Sequence, residues 1–151
     1  MRVSVVNVSP EVYNLGCEKI ANYHRRLGDE VIAGPWAPLA MQAAEKFYFS
    51  AIFTWDIPAL IEHANLARTW GKQVELGGPA VTNLANLVQA QTGIAPHRGL
   101  DDRFEKEPGT YQMSFSSRGC PHACRFCAVR RLEPLAMEYS DYIPAPMLGD
   151  N

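Results

Sequence analysis

Apolar positions along the first two thirds of the chain follow two alternating rhythms. Short β-branched or aromatic runs at 3–8, 30–33, 47–54 and 73–76 have the length and composition of buried strands. Between them the spacing widens to that of amphipathic helices. The clearest helix is predicted to start near Asp56, a good N-cap with Pro58 in the first turn; it sets Leu60, Ile61, Ala64 and Ala67 on one face and stops at Gly71. An earlier helix is predicted over 14–27, with Cys17, Ile20, Ala21 and His24 on one side and Gly28 at its end. A third covers 82–91, carries Leu84, Leu87 and Val88, and ends at Gly93. A short helix over 41–44 feeds the third strand.

Strands that alternate with helices in this way predict an α/β fold, an open flavodoxin-like or Rossmann-like parallel sheet. Ligands of such sheets lie at the carboxyl ends of the strands, here 9–13, 54–56 and 77–79. Tyr13 and Trp55 at those ends either line a pocket or pack at the sheet edge, and Gly77-Gly78 is either a cofactor cradle or a plain turn. From 95 to 110 the pattern dissolves into Pro, Gly and charge, including Asp101, Asp102, Arg103, Glu105, Lys106 and Glu107, and reads as a linker. A further strand over 111–116 leads into a cysteine loop. The expected division is an α/β domain at 1–94, a linker at 95–110 and a second unit at 111–151.

A chain of 151 residues, 47% of them hydrophobic, can bury one ordinary core. The formal net charge of -2 gives no polyelectrolyte signal, so nucleic acid is not implied as a partner. The apolar run at 3–8 is too short and too polar for a secretory leader, and nothing in the composition suggests a membrane span; the expected location is cytoplasmic.

Three of the four cysteines, Cys120, Cys124 and Cys127, fall within eight consecutive positions in the spacing Cys-x3-Cys-x2-Cys. Such clustering favours metal in a reducing compartment over disulfides. Three soft thiolates on one loop suit an iron-sulfur cube and leave one iron open to a substrate or cofactor. Structural zinc, completed by His122 or Cys17, is a rival reading, but the second ligand pair of such sites is missing from the sequence. A thioredoxin-like Cys124–Cys127 pair leaves Cys120 unexplained, and a ferredoxin would want a fourth cysteine close by. Cys17, on an apolar helix face, reads as core, and His122 as a loop histidine facing water. Gly119 suits a tight exit from a strand and Pro121 stiffens the loop. Arg118, Arg125, Arg130 and Arg131 either favour ionised thiols nearby or are solvated surface charges.

The segment 117–127 resembles the radical S-adenosylmethionine (SAM) superfamily, whose pattern is Cys-x3-Cys-x-aromatic-Cys on a loop after the first barrel strand; Phe126 fills the aromatic position. The resemblance implies that Cys120, Cys124 and Cys127 ligate a 4Fe-4S cluster, that SAM chelates the open iron, and that Phe126 packs beside the adenine. It also implies an electron donor such as flavodoxin or ferredoxin, reductive cleavage of SAM to a 5'-deoxyadenosyl radical, and hydrogen abstraction from a substrate. The leading α/β domain, the Gly77-Gly78 pair and the phrase Ser116-Ser117-Arg118-Gly119-Cys120 resemble the branch with an N-terminal cobalamin-binding domain, which implies cobalamin as a further cofactor. That branch's Asp-x-His-x2-Gly phrase is absent from the sequence. In a chain of 151 residues only 24 follow Cys127, so the expectation is an incomplete radical SAM barrel: a fragment, a split gene product completed by a second chain, or a degenerate relative. The competing class is a non-catalytic α/β module that binds a ligand, such as a corrinoid, or a partner chain and carries a metal-binding cysteine loop.

Overall fold

The computed structural model describes residues 1–105, 107, 113–122, 124–142 and 144–149. Strands β1 (Arg2–Asn7), β2 (Glu30–Gly34), β3 (Lys46–Ser50) and β4 (Gln73–Gly77) form one parallel sheet in the order β2-β1-β3-β4. The central strands β1 and β3 are rich in Val and Phe because helices cover both their faces. With side chains alternating along a strand, Val3, Val5 and Tyr48 pack with Cys17 and Ala21 of α1 (Leu15–Arg26). Val6, Phe47 and Phe49 pack on the opposite face with Ile57, Leu60, Ala64 and Ala67 of α3 (Ile57–Thr69). Each fully buried Val, Leu, Ile or Phe among them contributes about 1.5–3 kcal/mol relative to an exposed one.

Helix α1 starts where the sequence predicts. Asn14 has extended backbone, and its Oδ1 accepts from the Cys17 N–H at 3.1 Å. The expected cap at Asp56 is corrected: its backbone is already helical and its side chain makes no cap hydrogen bond. Instead the Asp56 carboxylate accepts from the Ser9 hydroxyl at 2.5 Å, which ties the loop after β3 to the loop after β1. The third strand also ends earlier than expected, at Ser50, and the chain turns into a 3-10 turn at Thr54–Asp56. The helix expected over 82–91 starts sooner and is broken, into α4 (Pro79–Asn83) and α5 (Ala85–Thr92), with non-helical backbone at Leu84 between them. The short helix before β3 is α2 (Pro38–Met41), begun by its proline rather than at Met41.

The charged stretch that reads as a linker is in part folded onto the sheet. Helix α6 (Asp102–Glu105) buries Phe104 edge-on against Tyr23 and Tyr48, with ring centroids at 5.1 and 5.8 Å. Charges in and beside this helix pair with the sheet and α1: Arg103 with Glu75 at 2.7 Å, Lys19 with Glu105 at 3.4 Å, and Arg26 with Glu107 just beyond. Of that stretch, residues 106 and 108–110 lie outside the described residues, as do 111–112 of the strand expected next. What is described of that strand is β5 (Met113–Ser114), which pairs in parallel with β8 (Met147–Leu148). Beside it β6 (Ser117–Arg118) pairs antiparallel with β7 (Met137–Glu138), and α7 (Val129–Leu132) lies between those two strands in sequence. Among the described residues no helix is long and apolar enough to cross a membrane.

Candidate functional site: the cysteine loop and the adjoining cavity

The cysteines hang from a closed neck. β6 leads the chain out and β7 brings it back, with Ser117 opposite Glu138 and Arg118 opposite Met137. Gly119 turns the chain at φ +73°, where a Cβ would collide with the Leu135 carbonyl, so glycine is required there. Its N–H donates to Glu133 Oε2 at 2.7 Å, and Arg118 Nη2 pairs with Glu133 Oε1 at 2.9 Å. Both carboxylate oxygens of Glu133 are thus spent on two successive residues, the second of them next to Cys120. The Arg118 guanidinium is buried, lies 3.9 Å from the centre of the Phe115 ring, and among the described residues its Nε has no hydrogen-bond partner.

Cys120 and Cys127 are half-buried, Cys124 is exposed, and all three are free thiols. The Cys127 N–H donates to the Cys124 carbonyl at 3.3 Å, which folds the second half of the motif into a turn. Phe126 is 91% exposed, and His122, Arg125, Arg130 and Arg131 are also exposed. Of the four arginines near the cysteines, Arg118 is therefore the one the fold takes in. Among the described residues no three His, Cys, Asp or Glu side chains are gathered as around a metal ion. The donor set itself fits a soft metal centre: three free thiols, none sealed in the core, within one short loop. Cys17 does not belong to that set. It is buried on α1, and burial pushes its thiol up to about 12, with a hydrogen bond to Ser50 offsetting only part of the rise.

Against the neck lies a cavity of about 510 Å³ at the carboxyl ends of β1, β3 and β4. Asn14, Ser50, Gly77, Gly78 and Thr82 form its sheet side, while Phe115, Arg118, Leu132 and Glu133 of the neck form the facing side. It sits over the neighbouring strands β1 and β3, where the strand order reverses: the chain passes from β1 to β2 on one side and then crosses to β3 on the other, the switch point at which open α/β sheets take their ligands. Local hydrogen bonding holds this end of the sheet together. The Asn14 amide donates to Ser50 Oγ at 3.0 Å, and the Ile52 N–H donates to Ser9 Oγ at 3.0 Å. Gly78, at φ +100°, brings the β4 end against β3: a Cβ there would sit 2.6 Å from the Ala51 carbonyl and 2.7 Å from Ser50 Oγ.

Of the strand ends expected from the sequence, Val12, Tyr13, Gly77, Gly78 and Pro79 line the cavity, and Ser9, Pro10 and Glu11 do not. Thr54, Trp55 and Asp56 do not; Trp55 is 72% exposed and stacks on Phe53 at 4.4 Å, and it is Phe53 that reaches the cavity wall. Glu133 escaped the sequence reading. Its only trace there is an acidic residue shortly after a run of arginines, which does not announce a contact back to Gly119.

A charged network closes the outer wall. Burial opposes the charged form of Glu75, yet Arg103 and Lys46, the latter at 2.6 Å, outweigh it and hold the carboxyl below its ordinary value. Asp101 is shifted the same way: burial works against its charge, and the Arg103 side chain at 2.6 Å more than compensates.

The chain matches no protein-family model, and no curated protein is significantly similar to it.

Proposed function

We propose that this chain carries the cluster loop of a radical SAM enzyme, with Cys120, Cys124 and Cys127 as the ligands of a 4Fe-4S cluster. The observation that carries this reading is the Cys-x3-Cys-x-Phe-Cys spacing on a single loop of free, solvent-reachable thiols. When bound, the cluster would supply the electron that cleaves SAM at the iron left open by three ligands. The chain's own part is to hold three thiolates on one short turn, to offer Phe126 as a flat apolar surface beside them, and to close the back of the loop with Arg118 and Glu133. The reaction would further need an electron donor such as flavodoxin or ferredoxin, a substrate, the rest of the barrel, and a reducing compartment such as the cytoplasm.

A second reading is a ligand-binding α/β module with a metal-carrying loop, and the cavity at the switch point favours it. A corrinoid is one class of occupant under that reading. Anaerobic reconstitution of the full chain with iron and sulfide separates the two. The radical SAM reading expects about four irons per chain, as a cubane cluster contains, and an electron paramagnetic resonance signal from the reduced cluster that changes on adding SAM. Alanine at all three loop cysteines should abolish the signal, and Cys17→Ala should leave it intact. Bound zinc without such a signal would remove the first reading and leave the second.

A further inference from the structure

The neck of the cysteine loop is built around one carboxylate. Glu133 accepts from the Gly119 N–H through one oxygen and pairs with Arg118 through the other. Arg118 is itself fixed, buried with its guanidinium over Phe115 and its backbone in the β6–β7 ladder. Gly119 is pressed against the Leu135 carbonyl, so the backbone immediately before Cys120 has little freedom while these contacts stand. The return side is equally tied, since α7 ends at Leu132, one residue before Glu133. A loop joined at its base in this way loses less conformational freedom when its thiols converge on one centre, because much of the ordering has already been done.

We propose that Glu133 is the positioning residue of the cysteine loop: by clamping Arg118 and the Gly119 N–H it sets where Cys120 stands relative to Cys124 and Cys127. This rests on the reading of the loop as a cluster site, but the clamp can be measured without any metal. Charge-assisted hydrogen bonds to a partly buried carboxylate are among the stronger local restraints in a protein, and Glu133 is such a carboxylate while Cys124 is exposed.

The test uses the full chain, anaerobic and metal-free, with iodoacetamide as the probe and peptide mass spectrometry to follow each cysteine. In the wild-type chain Cys120, half-buried, should be labelled more slowly than the exposed Cys124. Glu133→Ala should raise the Cys120 rate about tenfold relative to Cys124, the scale of one lost charge-assisted hydrogen bond. Glu133→Gln, which keeps an oxygen to accept from Gly119, should recover much of the protection. After reconstitution, Glu133→Ala should also lose its iron to a chelator about tenfold faster than wild type. A folded Glu133→Ala chain with unchanged labelling ratio would overturn the proposal. Should that variant fail to fold, Glu133→Asp, with the carboxylate drawn back by one methylene, decides it by the same ratio. Failure of the wild-type chain to assemble a cluster would count against the cluster reading alone, because the labelling ratio still decides the clamp.

Discussion

At the scale of single residues, the four cysteines divide by environment. Cys17 is enclosed between α1 and the sheet, and its thiol is pushed up to about 12 because burial penalises the thiolate. The thiolate is the reactive form, so Cys17 should be inert while the chain is folded. Titration of the folded chain with a thiol reagent is expected to modify the accessible Cys120, Cys124 and Cys127 readily. Cys17 should be modified only after urea unfolding. Rapid modification of Cys17 in the folded chain would mean that α1 does not seal this face.

At the scale of elements, the ends of strands and helices matter more than their middles. Asn14 caps α1 through its Oδ1 and also ties β1 to β3, by way of Asn7 at 3.3 Å and Ser50 at 3.0 Å. A lost cap alone costs about 1 kcal/mol, and the orphaned Ser50 contact adds to it. Asn14→Ala is therefore expected to lower the unfolding free energy in urea by about 1–2 kcal/mol. Asn14→Ser, which retains a capping oxygen but not the amide donor, should fall between the two. Equal stability of all three chains would show that the cap and the strand tie carry no weight. The break between α4 and α5 belongs to the same scale: Thr82 accepts from the Gly99 N–H at 3.0 Å and donates to the Gly78 carbonyl at 3.1 Å, anchoring α4 to the cavity wall while α5 takes its own direction.

Across the whole molecule, the segment after α5 is held to the sheet chiefly by Phe104 and by the network of Arg103, Glu75, Asp101 and Lys46. Glu75 and Asp101 are held below their ordinary values, so their contribution is present above the unfolded carboxylate range, near pH 4, and is lost as pH falls through the lower folded values. Glu75→Gln should thus reduce the urea midpoint at neutral pH and have a smaller effect at about pH 3, below the range in which an unfolded carboxylate ionises. A gap that stays constant with pH would assign the loss to packing instead of charge.

The periodicity of the first two thirds of the chain was enough to determine an open parallel α/β sheet, because strands buried on both faces and helices with one apolar stripe leave a strong local imprint in Val3, Val5, Phe47, Leu60 and Ala64. The cysteine spacing was legible for the same reason, being a matter of neighbours along the chain. Contacts between distant segments left no such imprint. The redirection of Asp56 to Ser9, the folding of the charged segment under Phe104, the cavity at the switch point and the clamp of Glu133 on Arg118 and Gly119 each join residues remote in sequence or brought together by a turn. Those were decided only in three dimensions, where a buried polar group must take whichever partner the packing brings within reach.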